Sequence, residues 1–316
     1  MTVIRAWNRF WFEPEPASTM AVIRIAVGLV VLAWTLSLAP DLHHFYTRTG
    51  IVPNQPHFPF FWGILGHWRG TGLVVPLWLL LVVASVCLAA GFHTRLVAVV
   101  TWLCFVGFQR RNPWVSNSGD ILLQDLTFLV MLMPAGVALS VDRWRKHRHD
   151  FWEFPARAPW AVRLVQIQLV IVYAVTVWDK VRGTTWNDGT AVSYALRIAD
   201  HGRFMAPRLV TNSLVVSNLL TYGTLAIEVS LATLVWHRRT RPWVLGLGLI
   251  LHLFIEGAVL VGFFTATLYA AYLAWVPGDT MSRWLLRARD RIRPTARSAG
   301  PVSARSEPAR RRLSVS

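Results

Sequence analysis

The chain has 316 residues, 54% of them hydrophobic and 15% charged, and its formal net charge is +16. The mean hydropathy of +0.42 excludes an ordinary soluble domain, because apolar runs fill most of the length. In such a chain, the basic excess indicates loops and a tail beside anionic membrane lipid. Nucleic acid is not expected as a partner, since the basic tail has no interleaved aromatic residues.

Eight apolar runs predict an all-α fold, a polytopic integral membrane bundle with about eight transmembrane helices. About 20 helical residues cross the hydrocarbon layer of a bilayer. The predicted spans are 20–39, 73–92, 94–111, 120–141, 160–178, 214–236, 242–262 and 263–278. The last two are separated only by Gly262, so a count of seven also fits the pattern.

The distribution of Lys and Arg predicts the orientation. With the N-terminus inside, the inner segments hold 21 of the 32 basic residues and the outer segments hold 9. Basic residues concentrate in cytoplasmic loops, so we expect both termini inside. The Arg-, Ala-, Val- and Trp-rich usage indicates a bacterial source and a multi-pass protein of the cell (plasma) membrane.

The chain divides into three parts by composition. Residues 1–19 form an aromatic, amphipathic N-terminal segment, and 20–278 form the transmembrane domain. Residues 279–316 are rich in Arg, Pro and Ser and lack apolar periodicity. They are therefore interpreted as a disordered, basic cytoplasmic tail.

Ionisable residues inside predicted spans are costly, so each prompts a hypothesis of function or of buried pairing. Arg24 pairing with Asp125 or Glu228 would neutralise charge within the bundle. His252 and Glu256 are four residues apart and share a helix face. A His near a Glu is a plausible proton relay, although this spacing has low specificity. No metal site is expected, since HExxH is absent and Cys87 and Cys104 have no ligand spacing.

Long polar and aromatic loops on the predicted outer side indicate a site at that face. We expect Tyr46, Asn117, Asp120, Lys180 and His201 to converge there. Lys180 is the most informative of them, because it ends an apolar run in VWDKVRGTTWNDG (177–189). One interpretation is a lysine that snorkels to the membrane surface, and the other is a base held at the membrane face.

Several stretches resemble the HTTM (horizontally transferred transmembrane) family over about residues 18–277. They are Arg24 in the first span, HHFYTRTGIVP, NSGDILLQDLTFLVMLMPAGVALSVD, IVYAVTVWDKVRGTTWNDG and LHLFIEGAVLVGFF. The best-known member of this family is the vitamin K-dependent gamma-carboxylase. Its lysine deprotonates vitamin K hydroquinone, and oxygen then yields an epoxide and a strong base.

The resemblance implies Lys180 as the base, with His252, Asn117 and Asp120 as further catalytic candidates. Tyr46, Trp186 and Arg24 are the candidates for binding a cofactor such as vitamin K hydroquinone or menaquinol. A base must be a neutral amine, and partial burial favours that form, whereas the adjacent Asp179 favours the charged form.

The chain departs from the carboxylase at two places. Asn117-Ser118-Gly119-Asp120 stands where the carboxylase has an Asn-His pair, and a short Arg-rich tail stands where it has a lumenal domain. Full glutamate carboxylation is therefore not expected. Two functions remain open: a quinol- or lipid-linked oxidoreductase acting at the outer face, or a non-catalytic partner, maturation or immunity factor for a secreted peptide.

Overall fold

The computed structural model describes residues 2–52, 65, 71–198, 202–203 and 208–292, and these are mostly helical. The first helices are α1 (Val3–Phe12), α2 (Ser18–Ser37), α3 (Leu42–Tyr46), α4 (Val74–Ala90), α5 (Thr94–Arg111), α6 (Ser118–Leu132) and α7 (Val141–Lys146). The later ones are α8 (Trp160–Lys180), α9 (Thr184–Asn187), α10 (Ala191–Ala195), α11 (Arg208–Asn212), α12 (Leu214–Thr233), α13 (Arg241–Ala258), α14 (Phe264–Tyr272) and α15 (Gly278–Ile292).

Short irregular elements connect these helices. One-turn 3₁₀ helices lie at Ala39–Asp41, Thr71–Leu73, Pro113–Val115, Ala135–Val137, Leu234–Trp236 and Leu273–Trp275. Two short antiparallel strands, β1 (Glu15–Pro16) and β2 (Ala156–Arg157), pair Glu15 with Arg157.

Each predicted span contains a helix, but only some helices are long enough to cross a membrane. Among the described residues, four helical stretches have that length and apolar composition: Ser18–Tyr46, Trp160–Lys180, Leu214–Trp236 and Arg241–Ala258. Val74–Ala90 is apolar but shorter. The helical architecture is thus as predicted, whereas the count of eight spans and the inside location of both termini remain predictions.

Apolar side chains cover the outside of the bundle as well as its core. On α4, Leu81 and Leu88 are fully buried, while Val75 and Val83 are more than half exposed. Helices that are apolar all round suit a hydrocarbon solvent, in which an α-helix satisfies its own backbone hydrogen bonds.

Small residues allow a close contact between two helices of the bundle. Helix α2 packs against α4, and a Cβ at Gly28 would lie 2.7 Å from the backbone nitrogen of Ala89. Only glycine permits this approach, which is typical of helix pairs in membranes.

The helical path is interrupted between α13 and α14, at the point where the sequence allowed either seven or eight spans. Helix α13 ends at Ala258 and α14 begins at Phe264, with Gly262 at φ +62° between them. Glycine reaches this conformation at little cost. Helix α14 has nine residues, so it is too short to cross a bilayer by itself.

The interpretation of 279–316 as a disordered tail is wrong for its first part. Residues Gly278–Ile292 form α15, which packs against α2 and β1, and Met281 is buried there. The Ser18 hydroxyl donates to the Gly278 carbonyl at 2.8 Å, and the Ser282 hydroxyl donates to Ser18 Oγ at 3.0 Å. The rest of the predicted tail lies outside the described residues.

Candidate functional site

Lys180 is the last residue of α8, and its side chain points into the bundle. Its ammonium Nζ forms an ion pair with Oε1 of Glu228 on α12. The side chain of Lys180 is 19% exposed and that of Glu228 is 5% exposed. Nζ also lies 4.7 Å from the ring centroid of Trp186 on α9. A carboxylate and the face of an aromatic ring are both common partners of a lysine side chain.

The segment after Lys180 folds back over the beginning of α12. The Ser217 hydroxyl donates to the Gly189 carbonyl at 3.0 Å, and the Tyr222 hydroxyl donates to the Asn187 carbonyl at 2.7 Å. Glu228 lies about three helical turns further along α12 than Ser217. A snorkelling lysine would extend away from the bundle to water, whereas Lys180 is held against a buried carboxylate.

A cluster of three buried side chains joins α8, α13 and α14. The Tyr173 hydroxyl lies 2.9 Å from Nε2 of His252 and forms a short hydrogen bond with the Tyr272 hydroxyl. Tyr173 lies seven residues before Lys180, so two helical turns place both on the same side of α8. Neither tyrosine was among the predicted site residues. The seven-residue spacing from Lys180 is a signal that could have indicated Tyr173, whereas no sequence pattern indicates Tyr272.

The ion pair and this cluster form one electrostatic unit. The Glu228 carboxylate interacts electrostatically with Tyr173 and Tyr272, and Lys180 does so with His252. Two buried atoms, Glu228 Oε2 and His252 Nδ1, have no hydrogen-bond partner among the described residues. A buried acid paired with a lysine, beside a buried imidazole bonded to tyrosines, can hold and relocate protons away from bulk water.

The ion pair and the Tyr–His cluster both lie within the part of the chain that matches a known protein family. The HTTM domain matches residues 12–279. The chain belongs to the HTTM family. No curated protein and no solved structure matches this chain. The HTTM domain therefore contains the ion pair, the Tyr–His cluster and α2 to α14.

Asn117 and Asp120 cap a helix of the HTTM domain. Asn117 Oδ1 accepts from the backbone N–H of Asp120 at 3.2 Å, and Asp120 Oδ2 accepts from the Asn117 backbone N–H at 2.9 Å. This reciprocal pair is a capping box at the beginning of α6. The two candidates thus have a structural role that accounts for their spacing.

This helix start lies near the Tyr–His cluster. A Cβ at Gly119 would lie 2.5 Å from the Cα of Phe264, and the Phe264 ring lies 5.6 Å from the His252 ring. One phenylalanine therefore lies between the capping box and His252.

Arg24 lies in a different part of the HTTM domain, and the predicted ion pair with Asp125 or Glu228 is wrong. Its guanidinium donates to four backbone carbonyls at 2.6–3.3 Å, those of Ala89, Ala135, Ala138 and Leu139. Helix ends and turns leave carbonyls without partners, and one fully buried arginine satisfies several of them.

The remaining acidic candidates also have other partners. Asp125 Oδ2 accepts from the Gln168 side chain at 2.8 Å. Glu256 forms an ion pair with Arg203, and its side chain is 31% exposed, so the prediction of a buried Glu256 is wrong. The two residues of the proposed His252–Glu256 relay bond to different partners, Tyr173 and Arg203.

Tyr46 and Trp186, the aromatic cofactor candidates, are separately placed. Tyr46 is buried, with its ring 5.2 Å from that of Phe108, whereas Trp186 contacts Lys180. His201 lies outside the described residues. In the part of the chain that the structure describes, no group of three or more His, Cys, Asp and Glu side chains could hold a metal ion.

Proposed function

We propose that this HTTM protein is a membrane enzyme in which Lys180 is the base that deprotonates a quinol-type substrate. The observation that carries the proposal is the inward Lys180–Glu228 ion pair beside the Tyr173–His252–Tyr272 cluster. A lysine that only marked the membrane surface would gain nothing from a buried carboxylate partner.

The pair offers a route to the neutral amine that a base requires. If one ammonium proton moves from Nζ to Glu228 Oε1, an ion pair becomes a neutral pair with no change in total charge. Nζ then has a free electron pair that can accept a proton. A dry environment favours this transfer, because it penalises both separate charges.

A hydroquinone such as vitamin K hydroquinone or menaquinol fits the polar groups of the site. Such a molecule supplies an acidic hydroxyl and is the reductant, and molecular oxygen is the oxidant that converts it to the epoxide with release of water. Among the described residues, Glu228 Oε2 and His252 Nδ1 have no hydrogen-bond partner and can bond to ring hydroxyls, and Trp186 offers an aromatic surface beside Nζ. Ser118 stands where the carboxylase has its histidine, so the proposal stops before glutamate carboxylation.

The test is an epoxidation assay on the purified full chain in detergent, with vitamin K hydroquinone or menaquinol and oxygen. We expect quinone epoxide from the wild type and from the control variant Arg239→Met, which changes an exposed residue in the turn between α12 and α13. Lys180→Met and Lys180→Arg are expected to lose at least 100-fold in rate, the size typical of a lost general base.

Lys180→Arg is the decisive variant. Arginine keeps the positive charge opposite Glu228 but stays protonated, so it cannot act as a base. Full activity of this variant would show that the site needs only a charge, and the proposed role of Lys180 would fail.

The second candidate is a non-catalytic partner, maturation or immunity factor for a secreted peptide. The observation that favours it is the capping box, which occupies Asn117 and Asp120 where catalytic groups were expected. A well-folded wild type that forms no epoxide, together with normal complementation of a deletion strain by Lys180→Met, would support this role. We further propose a bacterial plasma membrane as the location, and the support is the Arg-, Ala-, Val- and Trp-rich composition.

A further inference from the structure

A basic cavity opens at the end of the bundle where α5 begins and α6 ends. Its volume is about 1070 Å³, and five Arg or Lys side chains and three acidic ones line it. The lining comes from the start of α5, the turn after α6, α7 and the segment that leads to β2. None of these residues belongs to the Lys180 site.

Two cations of the cavity are available to a ligand. Arg95 and Lys146 are exposed and form no hydrogen bond or ion pair with another described residue. By contrast, Arg143 donates to the carbonyls of Asp150 and Val137, and Asp142 accepts from Thr94 and His93. Asp142 and Arg143 also line the cavity but are engaged in holding the loops together, whereas Arg95 and Lys146 keep their charged groups for a ligand.

An apolar surface continues from the cavity along the bundle. Leu96 lines the cavity and is 66% exposed, and Val99 follows on the same helix. On α6, Leu132 and Phe128 are also exposed, and the Phe128 ring lies 5.5 Å from Trp102 of α5. Residues three or four apart share a helix face, so these side chains form a continuous apolar track between α5 and α6.

We propose that the cavity binds the phosphate-bearing headgroup of an anionic phospholipid whose acyl chain lies along this α5–α6 track. Arg95 and Lys146 supply the donors and the positive charge for the phosphate oxygens. The apolar track distinguishes a lipid from a free phosphate ion, because a free ion would not use it. Basic pockets beside apolar helices are the usual setting for anionic headgroups.

The experiment measures thermal unfolding of the full chain in a neutral detergent by its tryptophan fluorescence. Phosphatidylglycerol, phosphatidylcholine or inorganic phosphate is added to the wild type and to two double variants. Arg95→Gln/Lys146→Gln removes the two free cations of the cavity. Arg238→Gln/Arg239→Gln removes two exposed charges from the turn between α12 and α13, and it is the matched control.

We expect phosphatidylglycerol to raise the Tm of the wild type and the control by several degrees. The cavity variant should need at least tenfold more of this lipid for the same rise, and native mass spectrometry should show less lipid retained on it. The proposal would be overturned if phosphatidylcholine raised the Tm as much as phosphatidylglycerol does, or if the control variant lost its response to phosphatidylglycerol as much as the cavity variant. A rise with millimolar inorganic phosphate alone would assign the cavity to a soluble anion instead.

Discussion

At the residue scale, the Lys180–Glu228 pair shows what a sequence can and cannot supply. The end of an apolar run singled out Lys180, and position within a span singled out Glu228. Nothing in the sequence joins them, because 48 residues separate them and span lengths do not say which helices adjoin. The sequence therefore predicted two candidates, and only the structure makes them partners.

The pair gives a prediction about stability that is independent of any activity. Lys180→Met leaves the Glu228 carboxylate buried without a cation, and Glu228→Gln leaves the ammonium without an anion. Removing one member of a buried pair costs about 3 kcal/mol or more. We expect each single variant to lower the Tm in detergent clearly, and the double variant to recover much of the loss.

The comparison is a double-mutant cycle, in which the coupling is the departure from additivity. Arg203→Gln, which removes the partner of the partly exposed Glu256, is the control and should have a small effect. If the double variant lost the sum of the two single effects, the side chains would not form a pair in the folded protein.

At the element scale, α7 fixes the beginning of α5 through one carboxylate. Asp142 accepts from the backbone N–H groups of His93 and Thr94 at 2.8 and 2.9 Å and from the Thr94 hydroxyl at 2.8 Å. Helix α5 has no side-chain cap of its own, since its N-cap residue is His93 at φ +45°. A residue 48 positions later in the chain thus performs the capping.

This contact predicts a dependence of stability on pH. Burial by itself raises the pKa of Asp142, but the hydrogen bonds from Thr94 and His93 outweigh it and hold the pKa below its ordinary value. A carboxyl whose pKa is lower in the folded state stabilises the fold at pH values above its unfolded-state pKa of about 3.9. This contribution is lost as the pH falls through its folded-state pKa.

We therefore expect Asp142→Asn to lower the Tm at pH 7. The difference from the wild type should narrow as the pH is lowered below about 4. Unfolding temperatures of both proteins in detergent between pH 3 and pH 7 provide the check. If the Tm difference between the two proteins stayed constant over this range, the charge of Asp142 would not contribute to stability.

Helix α15 shows why an element can be missed. Averaged over 279–316, the composition is that of a disordered tail, rich in Arg, Pro and Ser. Yet Met281 is buried, Leu285 is half-buried, and Arg289 lies over the ring of Trp152 at 5.6 Å. This spacing of four residues is helical, and the average over the longer segment concealed it.

At the scale of the whole molecule, local chemistry was predictable and long-range neighbours were not. Apolar runs of helical length predicted α2, α4, α5, α6, α8, α12 and α13, because a chain in lipid must satisfy its backbone internally. The predicted partner of Arg24 was wrong because every residue has a backbone carbonyl, so the residue types do not show which carbonyls accept from the guanidinium. Asn117 and Asp120 were found by position, but their spacing encoded a helix cap.

The contact of α15 with α2 and β1 predicts how much of the C-terminal part the folded protein needs. Ending the chain at Pro277 removes α15, which packs on α2 and β1, so we expect lower membrane expression and a lower Tm. Ending it at Ile292 keeps α15 and should leave both unchanged. Membrane fractions and unfolding temperatures test this, and equal behaviour of the two truncations would show that α15 is dispensable.

The four carbonyls around Arg24 have a consequence for the order in which the protein is built. Arg24 lies in a helical stretch that is long and apolar enough to cross a membrane, but its acceptors belong to residues 89–139, which the ribosome adds later. Until then the guanidinium must stay with water or with the insertion machinery, because an unpaired charge in hydrocarbon is costly. The contacts that hold Arg24, and with them the final packing of α2, can therefore form only after Leu139 has been synthesised.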